Sequence, residues 1–162
     1  GKPFGNNHSG TIMFSKTIEY ALRAMAHLVE CDLRGQGGQS VAQIAARTLV
    51  PEAYLSKVLQ GLARAGLIYS QRGVGGGFRV AQAASEITIL EVVAAVEPIA
   101  RIKSCPLGLP AHSDALCPLH QKMDDALALI EAQFADTTLA QLLGENFGKE
   151  APLGVLCAPR DS

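Results

Sequence analysis

The stretch from Ser40 to Val80, SVAQIAARTLVPEAYLSKVLQGLARAGLIYSQRGVGGGFRV, decides the fold. Ser40 is placed to cap a short helix whose apolar positions, Val41, Ile44 and Ala45, recur at i, i+3 and i+4, the period of one buried face. Pro51 stands where the first turn of a second helix should begin, with Glu52 beside it to meet the positive end of the helix dipole. Tyr54, Leu55, Val58, Leu59 and Leu62 then keep a helical period up to Ala65, and Gly66 supplies the stop. Leu67-Ile68-Tyr69-Ser70 and Phe78-Arg79-Val80 are rich in strand formers. They flank a loop holding Gly73, Gly75, Gly76 and Gly77, the pattern of a hairpin. Helix, short turn, helix, hairpin predicts a winged helix-turn-helix.

In such a module the second helix of the pair enters the DNA major groove with its N-terminal residues against base edges. Here that turn offers Glu52, Tyr54, Ser56 and Lys57, which together donate, accept and neutralise. The hairpin offers Arg72 and Arg79 around a loop whose Gly75 and Gly76 let backbone approach phosphates. The reading from a different class is a winged-helix protein-interaction module, and salt-dependent duplex binding separates the two. A phosphate-loop enzyme is excluded, because G-V-G-G-G lacks the following Lys-Ser/Thr and precedes a strand.

The segment VPEAYLSKVLQGLARAGLIYSQRGVGGGF resembles the DNA-binding segment of the Rrf-two family of bacterial winged-helix transcription regulators. The resemblance runs from about Met13 to about Leu143. Its most specific parts are the R-G-x-G-G-G-aromatic wing and the L-x-R-A-G-L helix end. It implies a cytoplasmic, homodimeric regulator, a repressor, on a roughly palindromic double-stranded DNA operator. It also implies backbone contacts from Tyr20 and Arg23 of the first helix.

Composition agrees. A chain of 162 residues with 48% apolar content has enough material for one core, and no run of about 18 apolar residues predicts a membrane span. The net charge of −1 is unevenly divided: residues 13–80 carry +4 and residues 81–162 carry −6, with Lys2 making up the rest. The basic charge therefore lies with the segment expected to meet nucleic acid. The expected class is mainly α, a winged helix-turn-helix with a two-stranded wing plus a long C-terminal dimerisation helix.

Residues 1–12 read as a disordered leader, and 13–83 as the DNA-binding domain. Residues 84–113 read as a connecting helix and cysteine loop, 114–143 as a dimerisation helix with a short terminal helix, and 144–162 as a disordered tail. Ser15 or Thr17 should cap the first helix, and Arg34 to Gln39 should form a flexible loop. Thr88-Ile89-Leu90-Glu91 is a capping box, and the helix it opens should end at Pro98. Leu116, Leu119, Met123, Leu127, Ile130 and Phe134 recur at steps of 3 and 4, an a/d seam that predicts pairing with a second copy. Gln121, Lys122, Asp124, Asp125 and Glu131 should lie on the other side of that helix.

The remaining motif is Cys105-Pro106-Leu107 with Cys117-Pro118-Leu119-His120. Pro118 fits the first position of the long helix, so Cys117 should cap it, where the helix dipole favours a thiolate. Cys117 and His120, three apart, share a helix face and can share a metal. Arg101 and Lys103 add nearby positive charge. A nucleophile–base pair is a poor reading of Cys117 and His120, since nothing orients the pair toward a substrate; the chain is not expected to be an enzyme. The resemblance implies more, because iron–sulfur members of the family carry three cysteines here and some a histidine. Cys105 corresponds to the first cysteine, and Cys117 and His120 to the third cysteine and the histidine. The middle cysteine is absent; His112 and Asp114 are the candidates for a fourth ligand. Three readings stay open: a two-iron cluster, a thiol redox pair, or a loop that is structural or binds another ligand such as zinc or a small metabolite. Cys31 reads as a small buried residue, and Cys157 as incidental.

Overall fold

The computed structural model describes residues 14–112 and 115–144, with the side chain of His112 outside that set. The expected leader, Asp114, Cys157 and the tail from residue 145 onward therefore lie outside the described residues.

Helix α1, Lys16–Leu33, begins where the Ser15 hydroxyl accepts the Ile18 N–H, so Ser15 rather than Thr17 is the cap. It ends in a left-handed Gly35 (φ 66°), with the Gly35 and Gln36 N–H groups bonded back to the Asp32 and Cys31 carbonyls. Helix α2, Val41–Thr48, opens on a reciprocal Ser40–Gln43 capping box. Helix α3, Glu52–Arg64, starts one residue later than Pro51 suggested: Pro51 is its cap, and its carbonyl accepts the Tyr54 and Leu55 N–H groups. Gly66 (φ 77°) closes α3 as expected, because two further bonds, Gly66 N–H to Ala63 O and Leu67 N–H to Leu62 O, need that left-handed residue.

Strands β1, Ile68–Gln71, and β2, Gly77–Val80, pair antiparallel with Ile68 opposite Val80 and Gln71 opposite Gly77. The segment before α2 joins them. Gln39 and Phe78 exchange both backbone hydrogen bonds (3.0 and 2.8 Å), and the Gly38 N–H donates to Gly75 O at 3.1 Å. The Arg34–Gln39 segment, expected to be a flexible loop, is thus tied at both ends, by the α1 terminus and by the wing. The crossing is tight: a Cβ on Gly38 would lie 2.7 Å from the Gly76 carbonyl carbon.

Helix α4, Ile89–Val96, opens on the Thr88–Glu91 capping box. It lies across α1 and α3, and a Cβ on Gly61 of α3 would sit 2.8 Å from the Ala95 carbonyl oxygen. A 3₁₀ turn at Pro110–His112 precedes α5, Pro118–Asp136, and the short α6, Leu139–Leu143. The chain then returns to the base of α4. Ile89 N–H donates to Thr137 O, and Leu139 N–H donates to Ile87 O. One core runs through Met25, Leu28, Ile44, Leu55, Leu59, Leu62 and Ile68, and continues past residue 83 into Ile87, Val92, Val93 and Leu139. Among the described residues no helix is long and apolar enough to cross a membrane.

Candidate DNA-binding face and cysteine loop

Helix α3 divides as its period dictates. Leu55, Val58, Leu59 and Leu62 are buried, while Glu52, Tyr54, Ser56 and Lys57 are exposed. Gln60 and Arg64 continue the exposed face, one and two turns beyond Ser56. Sequence reading had stopped at the first turn, although the same i+4 step reaches both. The Ser56 hydroxyl donates to the Glu52 carbonyl at 3.1 Å, which leaves its oxygen to accept from an outside donor. Tyr54 is held edge-on to Tyr20 of α1, with ring centroids 6.0 Å apart.

The wing turn needs its glycines. Gly73, Gly75 and Gly77 have φ of 99°, 73° and 126°, and a Cβ on Gly76 would lie 2.3 Å from Gln71 O. Arg72 is exposed beside this turn, and Val74 projects fully from its tip. Arg79 differs, being half-buried, with an Nε that has no hydrogen-bond partner among the described residues; Arg23 Nε on α1 is in the same condition.

Cys117 is the cap residue of α5, and Pro118 fills the helix's first position. The structure brings Cys117 and His120 together, with Sγ 3.3 Å from Nδ1. Two donors on one tetrahedral metal, with bonds of about 2.3 Å to sulfur and about 2.05 Å to nitrogen, stand roughly 3.6 Å apart, so the pair fits one edge of a metal site. Cys105 is half-buried in a turn closed by Gly108 N–H on its carbonyl. Cys31 and Cys117 form no disulfide among the described residues. Among the described residues no group of three or more His, Cys, Asp or Glu side chains is gathered.

Arg101 has carboxylate partners: it makes two 2.7 Å bonds to the Asp124 carboxylate and lies 3.7 Å from Glu131. Asp124, expected on the outer side of α5, is buried and also accepts the Ile102 N–H at 2.8 Å. The Arg101 guanidinium, aided by that N–H, holds its carboxyl well down, at about 2. The helix period alone could not reveal this, because the partner lies on the preceding loop.

The seam also divides. Leu116 precedes α5. Leu127, Ile130 and Phe134 are half-buried against the chain's own head, with Phe134 5.4 Å from Phe14, centroid to centroid. Leu119 (65% exposed) and Met123 (49%) face outward, joined by Leu129 (69%), which the seam had missed.

Residues 14–145 match Rrf2, described as an iron-dependent transcriptional regulator. A protein of Aquifex aeolicus, named among the HTH-type transcriptional regulators, is 30% identical over 135 residues, 82% of this chain and 92% of its own. The HTH-type transcriptional regulator IscR of Photobacterium profundum is 30% identical over 128 residues, 78% of this chain and 73% of its own. Among solved structures, the global cysteine regulator CymR of B. subtilis superposes with a TM-score of 0.64 at 25% identity, over 82% of this chain and 96% of that one. T. potens IscR shares the fold, with a TM-score of 0.68 at 23% identity over 88% and 96% of the two chains. The winged head, the glycine-built hairpin and a match spanning nearly all the described residues lead to one assignment: this chain belongs to the Rrf2 family of transcriptional regulators.

Proposed function

We propose that the chain is a cytoplasmic, homodimeric, DNA-binding repressor whose affinity for a roughly palindromic operator is tuned by its cysteine loop. The observation that carries the DNA reading is the single exposed face of Glu52, Ser56, Lys57, Gln60 and Arg64 beside a wing bearing Arg72. Glu52, Tyr54, Ser56 and Lys57 read base edges in the major groove. Arg72, Arg79 and the Gly75–Gly76 backbone hold the phosphates.

The dimer reading rests on α5, in which Asp124 alone is buried in the single chain. A helix of 19 residues with Leu119, Met123 and Leu129 in water is short of partners. A second copy supplies them through two-fold symmetry, and pairs two heads for two half-sites.

Cys105, Cys117 and His120 are the donors we assign to the signal. A two-iron cluster held there would supply redox and oxygen sensitivity. Its fourth ligand would be His112, Asp114 or a residue of the second copy. Among the described residues only Cys117 and His120 are brought together, so a second reading stands beside the cluster, a thiol pair of Cys105 and Cys117 that answers to oxidation. In both, a change at the head of α5 alters the spacing of the two reading heads, by a coupling of roughly 1–3 kcal/mol.

Anaerobic purification with an ultraviolet–visible spectrum and iron and sulfide analysis, on wild type and Cys117→Ala, separates the two. Visible absorbance with bound iron, lost in the variant, establishes the cluster; a colourless, iron-free protein leaves the thiol pair. Salt titration of duplex binding tests the docking. Lys57→Ala should weaken binding across sequences and reduce the salt slope by about 1. If Lys57→Ala and Arg72→Ala both bind as wild type does, the docking is wrong.

A further inference from the structure

Among the described residues the buried polar side chains are His27, Glu30, Thr48 and Asp124. Thr48 is engaged by the Ile44 carbonyl and Asp124 by Arg101. The other two share one place, a cavity of about 400 Å³ between the end of α1, the segment that pairs with the wing, and α2. Cys31 completes its floor, with Sγ 3.6 Å from His27 Nε2. Packing alone would not select these residues, since a buried polar group costs stability unless it is partnered, and a Leu or Met would fill the space.

The charges around this cavity do not cancel. Glu30 is engaged by Arg34 at 2.6 Å. Arg47, on the α2 wall, makes no ion pair or hydrogen bond among the described residues. The lining therefore carries two guanidinium groups against one carboxylate, with the amides of Gln39 and Gln43 between them. Burial lowers the pKa of His27 and raises that of Cys31, so both remain neutral hydrogen-bonding groups near pH 7. Arg47 is exposed at the rim, and an occupant with one negative charge for it and a polar body for the imidazole and thiol would suit this lining.

We propose that this cavity is an effector pocket for a small hydroxy- or amino-carboxylate, its carboxylate on Arg47 and its polar body on His27 and Gln39. The pocket is separate from the cysteine loop, and its effect on DNA rests on the regulator reading above. The route to that effect is short. Gln39 lines the pocket with His27, its side-chain amide donates to the Gly37 carbonyl, and its backbone exchanges both hydrogen bonds with Phe78 of the wing. Gln43 caps α2 through its side chain. An occupant competing for His27 and Gln39 therefore acts on the wing and on α2 together. It shifts DNA affinity by as much as its own affinity differs between the two wing positions.

The test begins without DNA, so it stands or falls apart from the DNA assignment. Thermal unfolding of the full chain is followed with a panel of three- to six-carbon hydroxy- and amino-carboxylates, including glycerate, malate, serine and glutamate. Inorganic phosphate, zinc and glycerol are run as separate arms. At least one carboxylate should raise the midpoint saturably, by about 5 °C or more at a hundredfold excess over Kd. The rise should vanish in Arg47→Gln and shrink in His27→Leu, while Arg47→Gln alone keeps the wild-type midpoint. In the second stage the same carboxylate should change wild-type duplex affinity at least about fivefold. No shift with any carboxylate overturns the pocket. So does an equal shift from phosphate, which would make it a seat for DNA backbone. A shift from zinc alone that Cys31→Ser abolishes would replace the carboxylate with a metal on His27 and Cys31. A carboxylate shift with unchanged duplex affinity overturns the coupling alone.

Discussion

The reading head and α5 are held by opposite means. The head buries a continuous apolar core from Met25 through Leu59 to Val93, so each element is fixed by many neighbours. Among the described residues helix α5 fully buries one, Asp124, which the Arg101 clasp ties to the preceding loop, while Leu127, Ile130 and Phe134 are half-buried. Apolar packing is insensitive to chemistry in the surrounding solvent, whereas a clasp of two charges responds to changes in position and protonation. The part that must keep a fixed shape to read a groove is built the first way. The part that would shift under the proposed signalling is built the second way.

The contrast can be broken first at its strong end. Leu59→Ala removes a fully buried side chain at the centre of the head and should cost about 2–5 kcal/mol, read as a lower midpoint in urea unfolding. A cost as small as that of a surface change would mean the head is not the packed unit described. Next in size is Gly38→Ala, whose methyl meets Gly76 backbone at 2.7 Å. A cost of about 1–3 kcal/mol is expected. Faster exchange of the Phe78 amide should accompany it, because that N–H is bonded to Gln39 O. An unchanged Phe78 amide would show that the wing does not lean on the segment before α2.

The smallest effect is expected at the clasp. Asp124→Asn should leave urea unfolding of the head near wild type, and should speed exchange of the Ile102 amide that Asp124 accepts. The clasp also has a defined pH range. The carboxyl is depressed in the folded chain to about 2, from about 3.9 when unfolded. Its contribution is therefore complete above about pH 4 and is lost as pH falls toward 2. The wild-type Ile102 amide should lose protection across that range, while Asp124→Asn should show no such transition. Equal behaviour of the two proteins would remove the clasp.

The head was legible because its signals are local. The period of Leu55, Val58, Leu59 and Leu62 sets the phase of α3, and Gly66 stops it through a conformation few other residues adopt. Cys117 before Pro118 announced its own cap in the same way. Three features were hidden because each depends on a distant partner. Asp124 looks like any surface aspartate until Arg101 is placed against it. Gly38 and Gln39 look like loop residues until the wing folds back onto them. His27, Glu30 and Cys31 read as one more helix face until the segment before α2 forms the rim of an open pocket beside them.

The return of the chain to the base of α4, where Ile89 bonds to Thr137 and Leu139 to Ile87, makes the far end of α5 a fulcrum. A helix of 19 residues is a lever about 28 Å long. With that end pinned, a displacement of about 2 Å at Cys117 becomes a tilt of roughly 4°. In a two-fold dimer each copy tilts in the opposite sense, and the angle between the heads changes by twice that amount. What the cysteine loop would transmit is an angle rather than a distance. Its signature on DNA would be a preferred twist between half-sites, readable from the helical phase of the best-bound spacer.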